Sequence, residues 1–302
     1  MRARAGHLRS PVSCMLAVCC AAAGLAACGS GSGPDVLTAP IHVVHTSAGT
    51  VAYRELGSGP ALLLIAGADE SIDGWPPNFV DALAAHHKVV VFDNAGIGPT
   101  SAVSAPASLS ITAMASQTST LISALRLHRP AVLGWSMGGM IAQALAISHP
   151  GQVSRLVLAA TAPGTGKAVP LPPAGTVTGL KPAKVVAQLF PDNQAAAATA
   201  YVNAIEQYPG FYGVSAATFH SQYLAAQRWI AGQDAAGRLT GDIRVPTLVA
   251  GGTADHFIAR ANERLLASSV PGAKLLFFDD AGHAFLFQDA ARFIRAVEAF
   301  LG

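Results

Sequence analysis

The sequence predicts an α/β fold: a mostly parallel central sheet, covered by helices on both faces, with a helical segment inserted late in the chain. Three observations point that way. Short, almost wholly apolar runs recur, as in Ala61–Ala66 (ALLLIA) and Lys88–Phe92 (KVVVF). Strands buried on both faces read like this, because neither face meets water. Longer helical patterns separate the runs, and parallel strands need such crossovers. The alternation then lapses over residues 165–241 and resumes after them.

Composition agrees with a folded body. Of 302 residues, 51% are hydrophobic and 12% charged, enough apolar surface to exclude a disordered chain. Thirty Gly without a three-residue period exclude collagen. The formal charge is +2 and no basic cluster stands out, so no nucleic-acid partner is expected.

The elements follow in order. Residues 1–27 read as a signal peptide: Arg2, Arg4 and Arg9, then an uncharged apolar run from Val12 to Ala27. A membrane span needs roughly 20 apolar residues, and this run is shorter. Residues 28–40 read as a tether opening on Gly29-Ser30-Gly31-Ser32-Gly33. Ile41–His45 and Val51–Leu56 are strands joined by Ser47-Ala48-Gly49, a hairpin signal. Ala61–Ala66 and Lys88–Phe92 are strands on either side of a helix over Phe79–His86. A helix over Ile111–Leu127 has Ser110 as its N-cap. Strand Ala131–Trp135, helix Met137–Ser148 and strand Val153–Ala159 follow. Residues 165–241 open Pro/Gly-rich and continue as Ala-rich helices, the expected cap. Strand Thr247–Ala250, helix Ile258–Ser268, strand Lys274–Phe278 and a helix over Asp289–Leu301 complete the chain. The core is thus expected over 41–164 and 242–302.

Gly134-Trp135-Ser136-Met137-Gly138 matches G-x-S-x-G between a strand and a helix. In that context the turn is strained and aims the serine Oγ out of the sheet's carboxyl edge. Small residues on either side avoid a clash. The backbone N–H of Met137, at the helix N-terminus, can stabilise a developing oxyanion. A serine hydroxyl needs a base, and the base needs a partner to fix its tautomer. Of ten His, His283 follows the last strand in Asp279-Asp280-Ala281-Gly282-His283, at the same edge. Asp255 follows the strand Thr247–Ala250 and is the preferred acid. Asp279 and Asp280 compete but lie close in sequence to His283, and His256 competes as base but adjoins Asp255.

The order Ser136, Asp255, His283 is that of α/β hydrolases. With Ala61–Gly67, Asp93–Gly98 and Gly134–Gly139, the chain past the tether resembles the α/β-hydrolase-fold superfamily. It is similar to the bacterial esterase-like branch that includes aclacinomycin methylesterases. The resemblance implies Ser136 as nucleophile, His283 as base, Asp255 as orienter, and a cap built from the insertion. It also carries the second oxyanion N–H over to Ala68. Relatives that take the acid from the loop after the sixth strand find no equivalent in Thr161-Ala162-Pro163-Gly164. Two positions depart from the family. Its His-Gly after the third strand is Ala66-Gly67 here, removing a loop-ordering hydrogen bond, and its Asp-x-Arg-Gly-x-Gly carries Ala95 in place of Arg.

Leu25-Ala26-Ala27-Cys28 resembles the lipobox of bacterial lipoproteins. That implies cleavage before Cys28, lipid on its sulfur, and anchoring at the outer face of the cytoplasmic membrane or in the cell envelope. Cleavage there removes three Arg and no acid, so the formal charge falls from +2 to −1. Cys14, Cys19 and Cys20 go with the signal, leaving no thiolate metal site.

The expected chemistry is hydrolysis of a small to medium uncharged apolar ester through an acyl-enzyme, without metal or organic cofactor. Phe190, Tyr201, Tyr208, Phe211, Tyr212, Phe219, Tyr223 and Trp229 of the insertion either pack the cap down or line the pocket. Trp75 and Trp135 are candidates for its mouth. Carbon–carbon, thioester or amide hydrolysis and peracid formation use the same side chains. A binding protein that keeps the fold without turnover is the remaining alternative.

Overall fold

The computed structural model describes residues 33–302 apart from Lys181. The signal segment, Cys28 and the first residues of the tether lie outside the described residues. Within them an eight-stranded sheet runs in the order β1-β2-β4-β3-β5-β6-β7-β8. The strands are β1 (His42–Thr46), β2 (Gly49–Leu56), β3 (Ala61–Ile65), β4 (Lys88–Phe92), β5 (Ala131–Trp135), β6 (Arg155–Ala159), β7 (Thr247–Gly252) and β8 (Lys274–Phe278). β1 and β2 form an antiparallel hairpin, and β2 pairs antiparallel with β4. Every later pairing is parallel.

Strand alternation explains how two helical layers share one sheet. Leu63, Ile65, Val90, Val132 and Leu156 point to one face, among side chains of α2 (Ile111–Ala124), α3 (Met137–Ser148) and α7 (Arg260–Ser269). Leu62, Leu64, Val89, Val91, Leu133 and Val157 point to the other. There they meet Phe79 and Leu83 of α1 (Pro77–Ala84) and Phe293 and Val297 of α9 (Ala290–Leu301). Burying each such side chain contributes about 1.5–3 kcal/mol. α2 starts where expected, because the Ser110 hydroxyl accepts the Ala113 N–H at 3.1 Å.

The insertion contributes α4 (Pro182–Leu189), α5 (Ala195–Ile205) and α6 (Ala216–Ile230), and a short α8 (Phe285–Gln288) precedes α9. Residues 33–302 form one compact unit, so the insertion is packed onto the core. Trp229 of α6 is fully buried in the α3 layer. The Tyr212 hydroxyl donates to Asp93 in the loop after β4. The segment assigned to the tether also belongs partly to this unit. Val36 is buried, its N–H donates to Asp81 Oδ1 at 2.8 Å, and Arg54 donates to the Ala39 carbonyl.

Candidate active site

Ser136 occupies the turn from β5 into α3 with φ 56° and ψ −120°. A non-Gly residue in this region is strained and is held only by its surroundings. Here the Ser136 N–H donates to Ala159 O at 2.9 Å, and the Thr161 hydroxyl donates to Ser136 O at 2.7 Å. The helix starts against β3: a Cβ at Gly138 would collide with the carbonyl oxygen of Ile65. Gly138→Ala is therefore expected to cost about 1–3 kcal/mol through overpacking. A lowered Tm with displaced turn geometry would show it, and an unchanged Tm would remove the steric explanation.

His283 Nε2 lies 2.8 Å from Ser136 Oγ, and His283 Nδ1 lies 2.8 Å from Asp255 Oδ2. The Asp255 side chain is fully buried, and its Oδ1 accepts the N–H groups of Phe257 and Ile258 at 2.7 and 2.9 Å. The loop bearing His283 is pinned on two sides. Trp135 Nε1 donates to His283 O at 3.0 Å, and Ala284 N donates to Leu189 O of α4 at 3.0 Å. The imidazole is thus oriented from both nitrogens, an arrangement able to take the serine proton and hold it as imidazolium. Asp279, Asp280 and His256 are exposed and belong to neither contact.

The cavity above Ser136 and His283 measures about 50 Å³, well below the several hundred typical of ligand pockets. Ala68 and Met137 line it with Ser136 and His283. Its apolar wall comes from Met140 and Trp135 of the core and Leu171, Val185, Leu189, Phe219 and Tyr223 of the insertion. The two readings of the insertion's aromatics therefore both apply. Phe219 and Tyr223 face the cavity, whereas Phe190, Tyr201, Tyr208 and Trp229 are buried in packing clusters. Trp135 reaches the cavity. Trp75 does not, being 1% exposed and packed on Phe79 and Phe287.

The expectation of an uncharged apolar ester rests on few charges near the pocket, yet Asp69 and Glu70 also line it. Both follow Ala68 in the loop after β3. Burial pushes the Asp69 carboxyl up to about 6 and holds Glu70 well above the usual range, with Asp69 raising it further. The signal available was two adjacent acids directly after a strand that ends at the site. Gln222 of α6 was also missed. Fully buried, it accepts the Asp69 N–H and donates to Ala95 O, each at 3.3 Å, tying the two loops together. The ordering contact absent at Ala66 has a local substitute: Asn94 Nδ2 donates to Ala66 O at 3.0 Å.

Residues 60–290 match the family model described as the alpha/beta hydrolase fold. The chain is 30% identical over 261 residues to a 2-hydroxymuconate semialdehyde hydrolase of Pseudomonas sp. strain CF600, covering 82% of this chain and 89% of the relative. It is 26% identical over 271 residues to the pimeloyl-[acyl-carrier protein] methyl ester esterase of Aeromonas hydrophila, covering 84% of this chain and all of the relative. An alpha/beta hydrolase fold protein from Chitinophaga pinensis superposes with a TM-score of 0.75 at 23% identity, over 88% of this chain and 98% of its own. These relatives support a general hydrolase function, and with the family model spanning most of its length the chain belongs to the alpha/beta hydrolase family.

Proposed function

We propose that the chain is a serine hydrolase that cleaves carboxylic esters of small to medium size. The observation that carries this reading is the continuous relay Ser136 Oγ–His283–Asp255, with both contacts at 2.8 Å. Ser136 attacks the ester carbonyl while His283 Nε2 takes its proton. The backbone N–H groups of Met137 and Ala68 hold the oxyanion. His283 returns the proton to the leaving alcohol, the acyl group remains on Ser136, and a water activated by His283 then releases the acid. Asp255 stays ionised throughout and stabilises the imidazolium. No step requires a metal or organic cofactor.

The insertion acts as a cap that supplies the apolar wall, and the bacterial esterase-like branch that includes aclacinomycin methylesterases is the branch proposed for the chain. The family's thioester, amide and carbon–carbon chemistries share this relay, so a substrate panel separates them. We also propose that the chain is exported and cleaved before Cys28. Lipid on that cysteine would hold it at the membrane surface. The test of the central reading is reaction with a fluorophosphonate probe, together with hydrolysis of p-nitrophenyl esters across acyl lengths. Inertness toward both would favour the binding-protein alternative.

A further inference from the structure

Asp69 and Glu70 sit where two spaces meet. Both line the cavity over Ser136, and both line an adjoining cavity of about 230 Å³ beneath α4 and the loop preceding α6. Val185, Leu189 and Phe219 share that boundary. A substrate that extends from the inner cavity into the adjoining one therefore passes the two carboxyl groups. Among the described residues lining either space, His283 of the inner cavity is the sole basic side chain. The polar neighbours have other partners. Tyr223 donates to Pro172 O at 2.9 Å, and Tyr201 reaches Gly74 O at 3.0 Å and Glu70 Oε1 at 3.2 Å. No hydrogen bond or ion pair from a described residue reaches the Asp69 carboxylate.

We propose that Asp69, backed by Glu70, is the recognition group for a cation on the substrate, so that the preferred esters carry an alkylammonium a few bonds from the reacting carbonyl. The proposal rests on reading Ser136 as the nucleophile. Asp69 is half-buried, and no side chain lining either cavity pairs with its carboxylate, so an ammonium seated there meets an unpaired opposite charge beside a largely apolar wall. Anionic substrates meet repulsion from the same group. The pKa values of both carboxyls, raised by burial, agree with an acidic site whose cation is supplied from outside. Two adjacent carboxyl groups are too sparse a set of oxygen ligands for a divalent metal.

The experiment compares substrates matched in shape and differing in charge. On the acyl side these are the p-nitrophenyl esters of 4-(trimethylammonio)butyrate and of its carbon isostere, 5,5-dimethylhexanoate. On the alcohol side they are butyrylcholine and 3,3-dimethylbutyl butyrate. Each kcat/KM is divided by the ester's own hydroxide-catalysed rate. The expected result is a cation-to-neutral ratio of at least about ten in one pair. Asp69→Asn should bring that ratio close to one. Asn tolerates the positive φ of this position, 69°, and the ratio is insensitive to a general loss of activity. A ratio near one in both pairs overturns the proposal, as does a ratio that survives Asp69→Asn. If Ser136 labels with a phosphonate while charge preference is flat, only the cation site falls. If Ser136 does not label at all, the hydrolase reading falls and takes this proposal with it.

Discussion

Ser136→Ala is expected to cut kcat for an activated ester by about 10⁶-fold. The substitution removes one oxygen and leaves the pocket, both backbone N–H groups and the His283–Asp255 contact in place. Substrate therefore still binds, and the loss should fall on kcat far more than on KM. A residue of catalysis over water remains, because oxyanion donors act without the nucleophile. The same variant should no longer be labelled by a fluorophosphonate, which reports Oγ reactivity without requiring the true substrate. Ser136 sits at φ 56°, and Ala tolerates that conformation no better than Ser. Its thermal unfolding must therefore be measured alongside. An Ala variant that folds like the parent and still labels would remove Ser136 from the mechanism.

The parts of this site that were legible from sequence share one property: each follows a strand whose apolar run is unmistakable. Ser136 ends β5, Asp255 follows β7 and His283 follows β8, so parallel pairing alone delivers them to one edge. Lys88–Phe92, Met137–Ser148 and Lys274–Phe278 appear with the bounds the pattern implies. The strand read as Thr247–Ala250 runs on through Gly251 and Gly252. Glycine hides a strand from a hydrophobicity pattern, but β8 packs alongside and continues the ladder. The four-residue α8 was invisible because one turn has no period. Val36 illustrates a different limit. A lone apolar residue after a Gly/Ser stretch carries no local signal, and only the distant Asp81 shows why it is buried. Gln222 belongs to the same class, since its role depends on which loops the cap covers.

Glu263 is the sharpest case, and it yields a second large expected effect. The stretch Arg260-Ala261-Asn262-Glu263-Arg264 is polar or charged at four of five positions, within the helix expected over Ile258–Ser268. In the structure Asn262 and Glu263 are buried, with Glu263 fully so. Asn262 exchanges two hydrogen bonds with the Val169 backbone, at 2.6 and 2.8 Å, tying α7 to the insertion. The Glu263 carboxyl lies against β7, where a Cβ at Gly251 would collide with it, and neither oxygen has a hydrogen-bond partner among the described residues. Burial, with the Asp255 carboxylate nearby, pushes its pKa up to about 10, and Arg260 offsets this only in part.

The consequence for stability has a definite sign. In the unfolded chain Glu263 ionises near 4.5, whereas in the folded chain it keeps its proton to about 10. Between those values the folded state binds more protons, so folding loses stability as pH rises. The loss is roughly 1.4 kcal/mol per pH unit, or about 3 kcal/mol by pH 7. Glu263→Gln keeps the shape and removes the titration. Its unfolding free energy, followed by urea titration from pH 5 to pH 9, should therefore gain on the parent with each unit of pH. The penalty of an unpartnered buried amide shifts the whole curve but not its slope relative to the parent. Two curves that stay parallel across this range would mean that Glu263 titrates alike in both states. The buried neutral acid would then be wrong, while the steric reason for Gly251 beside it would stand.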